Sequence, residues 1–131
     1  MAAWLTIDPR HPLPIYAQLE RGIRAAVGSG RLAPGSQLPT VRQLAVELRI
    51  NANTVARVYV DLEHAGILET RRGVGTFVAT LPPPAAPKRE REAELRTIAR
   101  RAIDEASALG FSADDLMRCV RSASTTESIK D

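Results

Sequence analysis

Residues 38–66 read Leu-Pro-Thr-Val-Arg-Gln-Leu-Ala-Val-Glu-Leu-Arg-Ile-Asn-Ala-Asn-Thr-Val-Ala-Arg-Val-Tyr-Val-Asp-Leu-Glu-His-Ala-Gly. From Val41 to Leu48 the apolar side chains recur three and four residues apart, which is typical of one face of a helix. Thr40 and Gln43 have the spacing of a capping box, in which each residue bonds the other's backbone N–H. This pattern predicts a short amphipathic helix that begins after Thr40.

A second helix is predicted after Asn51, a favourable N-cap, and should stop at Gly66 in the C′ position. Its core-facing residues are Val55, Val58, Tyr59 and Leu62. The opposite face carries Asn53 and Arg57, one turn apart. Two helices joined by a tight turn, with polar residues offered by the second, match the helix-turn-helix motif, whose second helix enters the major groove of DNA.

The segments on either side of this motif extend the prediction. A helix is expected from Pro14 onward, because apolar residues step by four through Ile15 to Val27. After Gly66 the period changes to two, and residues 67–70 and 76–78 predict two strands around the turn 71–75. The expected fold is mainly α with a small β-hairpin, which is the order of a winged helix-turn-helix domain.

The second half of the chain has a different organisation. Leu81 to Pro87 is proline-rich and predicts a linker over 81–89, after a DNA-binding domain at 1–80. A helical dimerisation region is expected at 90–122 and a flexible tail at 123–131. The predicted dimerisation seam consists of Leu95, Ala99, Ala102, Ala106 and Leu109. So small a pair of helices buries little core alone, so we expect it to pack on a second copy.

Composition restricts the class of protein. The hydrophobic content of 44% and the charged content of 25% are typical of a globular chain. Residues 1–80 hold nine arginines and six acidic residues, whereas residues 81–131 hold nine charges of each sign. The positive excess therefore accompanies the helix-turn-helix pattern, as expected for a partner rich in phosphate. No apolar run is long enough for a membrane span, and the single cysteine, Cys119, agrees with a cytoplasmic location.

These motifs together resemble the GntR family of bacterial transcription regulators, and within it the short YtrA-type subfamily. The motifs that resemble the family are Pro-Ile-Tyr at 14–16, Leu-Pro-Thr-Val-Arg-Gln-Leu-Ala at 38–45, Asn-Ala-Asn-Thr-Val at 51–55, Leu-Glu-His-Ala-Gly-Ile-Leu at 62–68 and Arg-Arg-Gly-Val-Gly-Thr-Phe-Val at 71–78. The resemblance implies a dimeric, sequence-specific repressor that binds a palindromic operator. It also implies control of a transporter operon that often includes the regulator's own gene.

The resemblance also implies roles for single residues. Arg42 would contact a phosphate or a guanine, and Asn53 and Thr54 would contact backbone and base edges. Arg72 and Gly73 match the wing tip, which approaches the minor groove. The sequence departs from the family at Ala52 and Ala56, where longer relatives carry arginines, and at Val74, where a lysine is common.

Other interpretations stay open at this point. Asn53 and Thr54 could be ordinary first-turn residues, and Arg57 could either contact DNA or only pair with Asp61. At most one of the adjacent Arg71 and Arg72 is expected to face DNA.

The alternative function is a winged-helix module that binds protein without specific DNA binding. An enzyme is not expected, because no phosphate-binding glycine loop and no nucleophile–base set occur. His11 and His64 lack partners at ligand spacing, so neither a metal nor a cofactor is expected, and a small-molecule effector stays unidentified.

Overall fold

The computed structural model describes residues 4–80 and 86–130, with side chains as far as residue 124. The elements are α1 (Ile15–Gly28), α2 (Val41–Leu48), α3 (Ala52–His64), β1 (Leu68–Arg71), β2 (Gly75–Val78), α4 (Lys88–Ala108) and α5 (Ala113–Lys130). The chain divides into two compact units, residues 1–84 and 85–131. The predicted fold class, mainly α with a small β-hairpin, is confirmed.

The first unit has a core formed by α1, α2, α3 and the hairpin. The side chains that are fully buried are Leu19, Ile23, Leu44, Val55, Val58, Leu62 and Val78. All are aliphatic, and burial of apolar surface is the main favourable term in folding. The stripe predicted for the second helix of the motif is confirmed, because Val55, Val58, Tyr59 and Leu62 are all buried.

The ends of α2 and α3 follow the predicted capping. The backbone N–H of Gln43 donates to Oγ1 of Thr40 at 3.1 Å, and the N–H of Thr40 donates to Oε1 of Gln43 at 2.9 Å. Arg49 ends α2 in the left-handed conformation, with φ of 57°. The backbone N–H of Asn53 donates to Oδ1 of Asn51 at 2.8 Å, which caps α3. These local bonds set the tight turn between the two helices.

The hairpin is antiparallel, with Leu68 opposite Val78 and Arg71 opposite Gly75. β1 is displaced by one residue from the predicted segment at 67–70, and β2 begins one residue before the predicted segment at 76–78 and ends with it. Gly73 lies in the turn with φ of 75°, a backbone conformation that glycine adopts without strain. Together with the three helices, this hairpin completes a winged helix-turn-helix domain.

The second unit is a pair of contacting helices whose limits differ from the prediction. α4 begins at Lys88, so the last two residues of the predicted linker are helical; residues 81–85 lie outside the described residues. The prediction that α5 ends near Ser122 is wrong, because the helix reaches Lys130 through most of the expected tail. That segment lacks glycine and proline, and extending an existing helix needs no new nucleation.

Searched over its described residues, the chain has no helix of the length and mean hydropathy needed to cross a membrane.

Candidate nucleic-acid interface

The first turn of α3 presents polar groups on the side away from the core. Asn53 is exposed and Thr54 is half-buried, while the next residue, Val55, is fully buried. The N-terminal end of a helix carries a partial positive charge, which favours an anion. The start of α3 therefore combines side-chain donors and acceptors with an electrostatic preference for phosphate.

Arg42 lies in the first turn of α2, directly after the residue that follows the cap. Its side chain is exposed, and it makes no hydrogen bond or ion pair with any residue that the structure describes. A guanidinium has five N–H donors in a rigid fork that matches phosphate or the guanine edge. Arg42 thus presents its full charge and all of its donors to solvent.

Arg57 does not form the ion pair that was one of its two interpretations. Among the described residues it pairs with no carboxylate; instead its Cζ atom lies 5.0 Å from the centroid of the Tyr16 ring. Tyr16 lies in the first turn of α1, a helix that packs on α3. This contact joins the two helices beside the exposed face of α3.

The two neighbouring arginines of the wing have different surroundings. Arg71 lies over the Phe77 ring, with its Cζ atom 4.4 Å from the ring centroid, and its Nη2 is 3.7 Å from Oε2 of Glu69. Arg72 is exposed and has no such partner within the described part of the chain. Arg72, beside Gly73 in the turn, is therefore the arginine whose charge is unopposed at the wing tip.

Gln37, in the loop before α2, contacts the wing turn and was not among the predicted site residues. Its Nε2 donates to the carbonyl oxygen of Val74 in the wing turn at 3.1 Å. The backbone beside it pairs with β2, since the N–H of Leu38 donates to the carbonyl of Thr76 at 2.8 Å. A Cβ atom added at Gly75 would lie 2.5 Å from that Nε2, so glycine permits the close approach. No hydrophobic period or motif signals such a contact.

Tyr59 connects the two helices of the motif. Its hydroxyl donates to the carbonyl oxygen of Pro39, immediately before the α2 cap, at 2.8 Å. Burial raises the pKa of this phenol above its ordinary value, and the negative charge of Glu47 raises it further. Tyr59 therefore remains protonated and keeps donating over the physiological range, which fixes the start of α2 against α3.

The predicted dimerisation residues divide into two groups in the second unit. Leu95 and Leu109 are 63% and 76% exposed, and Ala99 is exposed as well. Ala102 and Ala106 are half-buried. All five residues line clefts whose other wall is α5, so the seam borders α5 within the same chain.

The exposed apolar face of this unit is wider than the predicted seam. It borders a cleft of about 490 Å³ whose larger apolar lining residues are Leu95, Ile98, Ile103, Leu116, Met117 and Val120. Of these side chains only Leu116 is not among the exposed large hydrophobic residues. In the described part of this unit no residue is buried. Side chains of both α4 and α5 form this face, rather than a single heptad seam on α4.

Comparison with known proteins gives a consistent assignment. The family model for bacterial regulatory proteins of the gntR family matches residues 15–78. An HTH-type transcriptional regulator of Mycobacterium tuberculosis is 40% identical over 88% of this chain and 89% of its own length. The HTH-type transcriptional repressor YtrA of Bacillus subtilis is 43% identical over 57% of this chain and 58% of its own length.

Solved structures show the same fold. The crystal structure of a transcriptional antiterminator from Listeria monocytogenes has a TM-score of 0.70 at 28% identity, covering 97% of this chain and 94% of that chain. The DNA-binding domain of AraR, crystallised in complex with operator ORX1, has a TM-score of 0.52 at 30% identity. That match covers 57% of this chain and 96% of the AraR chain, so it corresponds in extent to a DNA-binding domain.

Proposed function

The chain belongs to the gntR family of bacterial regulatory proteins, in which it is similar to the short YtrA type, and we propose that it is a homodimeric repressor of a palindromic operator. The observation that carries this proposal is the pair of exposed, unopposed guanidinium groups of Arg42 and Arg72. One lies on the helix-turn-helix and the other on the wing. Unpaired positive charges on the helix-turn-helix and on the wing are suited to neutralise the phosphates of a nucleic acid.

The division of labour among the residues follows from their chemistry. Arg42 and Arg72 supply salt-dependent affinity through phosphates, since neutralising phosphates releases counterions. Asn53 and Thr54, in the first turn of α3, discriminate among base edges in the major groove. Gly73 lets the wing turn approach the minor groove without a side chain in the way. This approach also brings the adjacent Arg72 close to the groove.

The second unit supplies the dimer. Exposed Leu95, Ile98, Ile103, Met117 and Val120 are unfavourable in water, and an equivalent face on a second copy would cover them. A contact between identical faces has two-fold symmetry. Two recognition helices related by a two-fold axis then match an operator whose half-sites are inverted repeats.

The regulated gene is proposed from the resemblance to the short YtrA-type subfamily. YtrA of Bacillus subtilis is named a transcriptional repressor, and repression needs only that the bound dimer obstruct the promoter. We assign this chain the same action, on a transporter operon of the kind that in this family often includes the regulator's own gene, and no catalytic role. Its own promoter is therefore the first duplex to test.

The deciding measurement is fluorescence anisotropy with the promoter upstream of the chain's own gene and a scrambled duplex, at several salt concentrations. We expect tight binding to the promoter alone. Arg42→Ala should weaken binding to all duplexes and lower the salt slope by about one if the contact is to phosphate. Arg100→Ala, which removes an equal charge from the exposed surface of α4, is the matched control and should leave binding unchanged.

Two outcomes would contradict the proposal. If DNA fragments selected from the whole genome bind no better than the scrambled duplex, the protein has no operator. If binding is also insensitive to salt, the winged-helix domain would instead be a protein-interaction module, and a partner should then be recovered by pull-down.

A further inference from the structure

The contact between Tyr16 and Arg57 joins the first turn of α1 to the exposed face of α3. We propose that Tyr16 is a positioning residue: its ring holds the Arg57 guanidinium in the orientation that reads one base pair of the operator. The inference rests on the proposed DNA-binding function and adds a residue from outside the helix-turn-helix to its specificity.

The position of the contact makes the ring a fixed support. Tyr16 precedes buried Leu19 by one turn of α1, and Arg57 directly precedes buried Val58 on α3. Both side chains therefore emerge at the edge of a packed helix pair, whose buried residues hold the two backbones in place.

The type of contact leaves the cation available. The Tyr16 ring carries no formal charge, so the contact leaves the positive charge of Arg57 in place, and phosphate and guanine are bound through the N–H edge of a guanidinium. An ion pair with Asp61, one turn further along α3, would have neutralised the charge, but no such pair forms among the described residues. Arg57 is thus oriented by Tyr16 while its charge and donors remain directed to a ligand.

Arg71 on the wing shows the contrasting arrangement. It also stacks on an aromatic ring, that of Phe77, but a carboxylate oxygen of Glu69 lies 3.7 Å from its guanidinium. That arginine is occupied within the hairpin. Arg57 has no carboxylate partner within the part of the chain that the structure describes. Its charge therefore remains available to a ligand, whereas the charge of Arg71 is paired within the hairpin.

The energetic advantage is entropic. A long arginine side chain loses rotamer freedom when it docks on a base, and a side chain that is already held loses less. The strength of an ordinary exposed cation–π contact limits this gain to roughly twofold to fivefold in affinity. The expected effect of removing the ring is therefore modest in affinity but specific to the position that Arg57 reads.

The test is a double-mutant cycle on a duplex that the wild-type protein selects from random-sequence DNA. Tyr16→Leu should weaken binding roughly twofold to fivefold and relax base preference at one position in each half-site. Tyr16→Phe, which keeps the ring, should bind as the wild type does. In the Arg57→Ala background, Tyr16→Leu should have no further effect.

Order of the Arg57 side chain, measured by nitrogen-15 relaxation at Nε in the protein without DNA, gives a second readout. Tyr16→Leu should increase the mobility of this group, and Tyr16→Phe should not. Equal loss of binding with and without Arg57, a loss in Tyr16→Phe as large as that in Tyr16→Leu, or unchanged Arg57 order would each overturn the inference. Failure of the wild type to select any duplex would instead refute the proposed function.

Discussion

Gln37 donates a hydrogen bond of 3.1 Å from its side-chain amide to the carbonyl oxygen of Val74. The donor belongs to the loop that leads into α2, and the acceptor lies in the turn of the wing. Gln37 also pairs with Phe77 of β2 as an isolated antiparallel bridge. The wing turn and the first helix of the helix-turn-helix are therefore connected by side-chain and backbone bonds.

This connection predicts an effect of Gln37→Met, which keeps a side chain of similar size and removes the donor. The turn that carries Arg72 should become more mobile, and affinity for the operator should fall by roughly twofold to tenfold, the range of one net hydrogen bond. The measurement is anisotropy, together with amide hydrogen exchange at residues 73–75. Exchange there should accelerate while the rest of the domain stays protected.

The matched control is Ser36→Ala, in the same loop. It removes a local bond from the Ser36 hydroxyl to the Ala33 carbonyl and leaves the bond to the wing intact. If Ser36→Ala and Gln37→Met weaken DNA binding equally, general loosening of the loop is responsible, and the bond to Val74 has no separate role.

Tyr59→Phe should destabilise the first unit by about 1 kcal/mol, because the Pro39 carbonyl loses its donor. Burial and Glu47 raise the pKa of the Tyr59 phenol in the folded chain. Above about pH 10, the ordinary pKa of the group, the unfolded chain loses this proton while the folded chain keeps it. Stability must therefore fall as the pH rises through that region.

Urea unfolding between about pH 8 and pH 11 measures this dependence. We expect the wild type to lose stability over the alkaline part of the range and Tyr59→Phe to lose less. Tyr16→Phe is the control, since Tyr16 is 39% exposed and its ring stays in place. Identical pH profiles for Tyr59→Phe and the wild type would contradict the assignment of this proton to Tyr59.

Leu95→Asp should convert the proposed dimer to monomers, because it places a charge in the exposed apolar face of the second unit. Sedimentation velocity reports the oligomeric state, and circular dichroism should show that helix content is retained. Thr97→Asp introduces the same charge at an exposed position that lines a polar cleft of α4 and should leave the dimer intact. A dimer that survives Leu95→Asp would place the interface elsewhere.

Leu95 is a sharper probe than Ala102 for a structural reason. Ala102 is half-buried and lines clefts on both sides of the helix pair together with Leu116. A carboxylate at this position would disturb the packing of α4 on α5 as well as any contact with a second copy. Leu95 borders one of these clefts too, but at 63% exposure a charge there disturbs the packing of α4 on α5 less.

Some features could be predicted from the sequence because they depend on residues that are close together in the chain. The bonds between Thr40 and Gln43, the Asn51 cap and the buried face of α3 all join residues within one or two helical turns. Capping and periodicity therefore sufficed to predict them. The end of α5 was mispredicted because a run of serine and threonine resembles a tail, although nothing in it stops a helix.

The amino-acid sequence by itself determined the order of elements, the helix-turn-helix with its wing, the arginine excess of the first half and, through its motifs, the family. Tertiary structure alone decided that Arg57 contacts the Tyr16 ring and that Gln37 donates to the wing turn. It also decided that Arg71 contacts Phe77 and Glu69, whereas Arg72 has no such partner in the described part of the chain. The physical reason is that start signals and apolar faces arise from interactions within a few residues. Stacking and hydrogen bonds between distant residues exist only after the core has brought their backbones together.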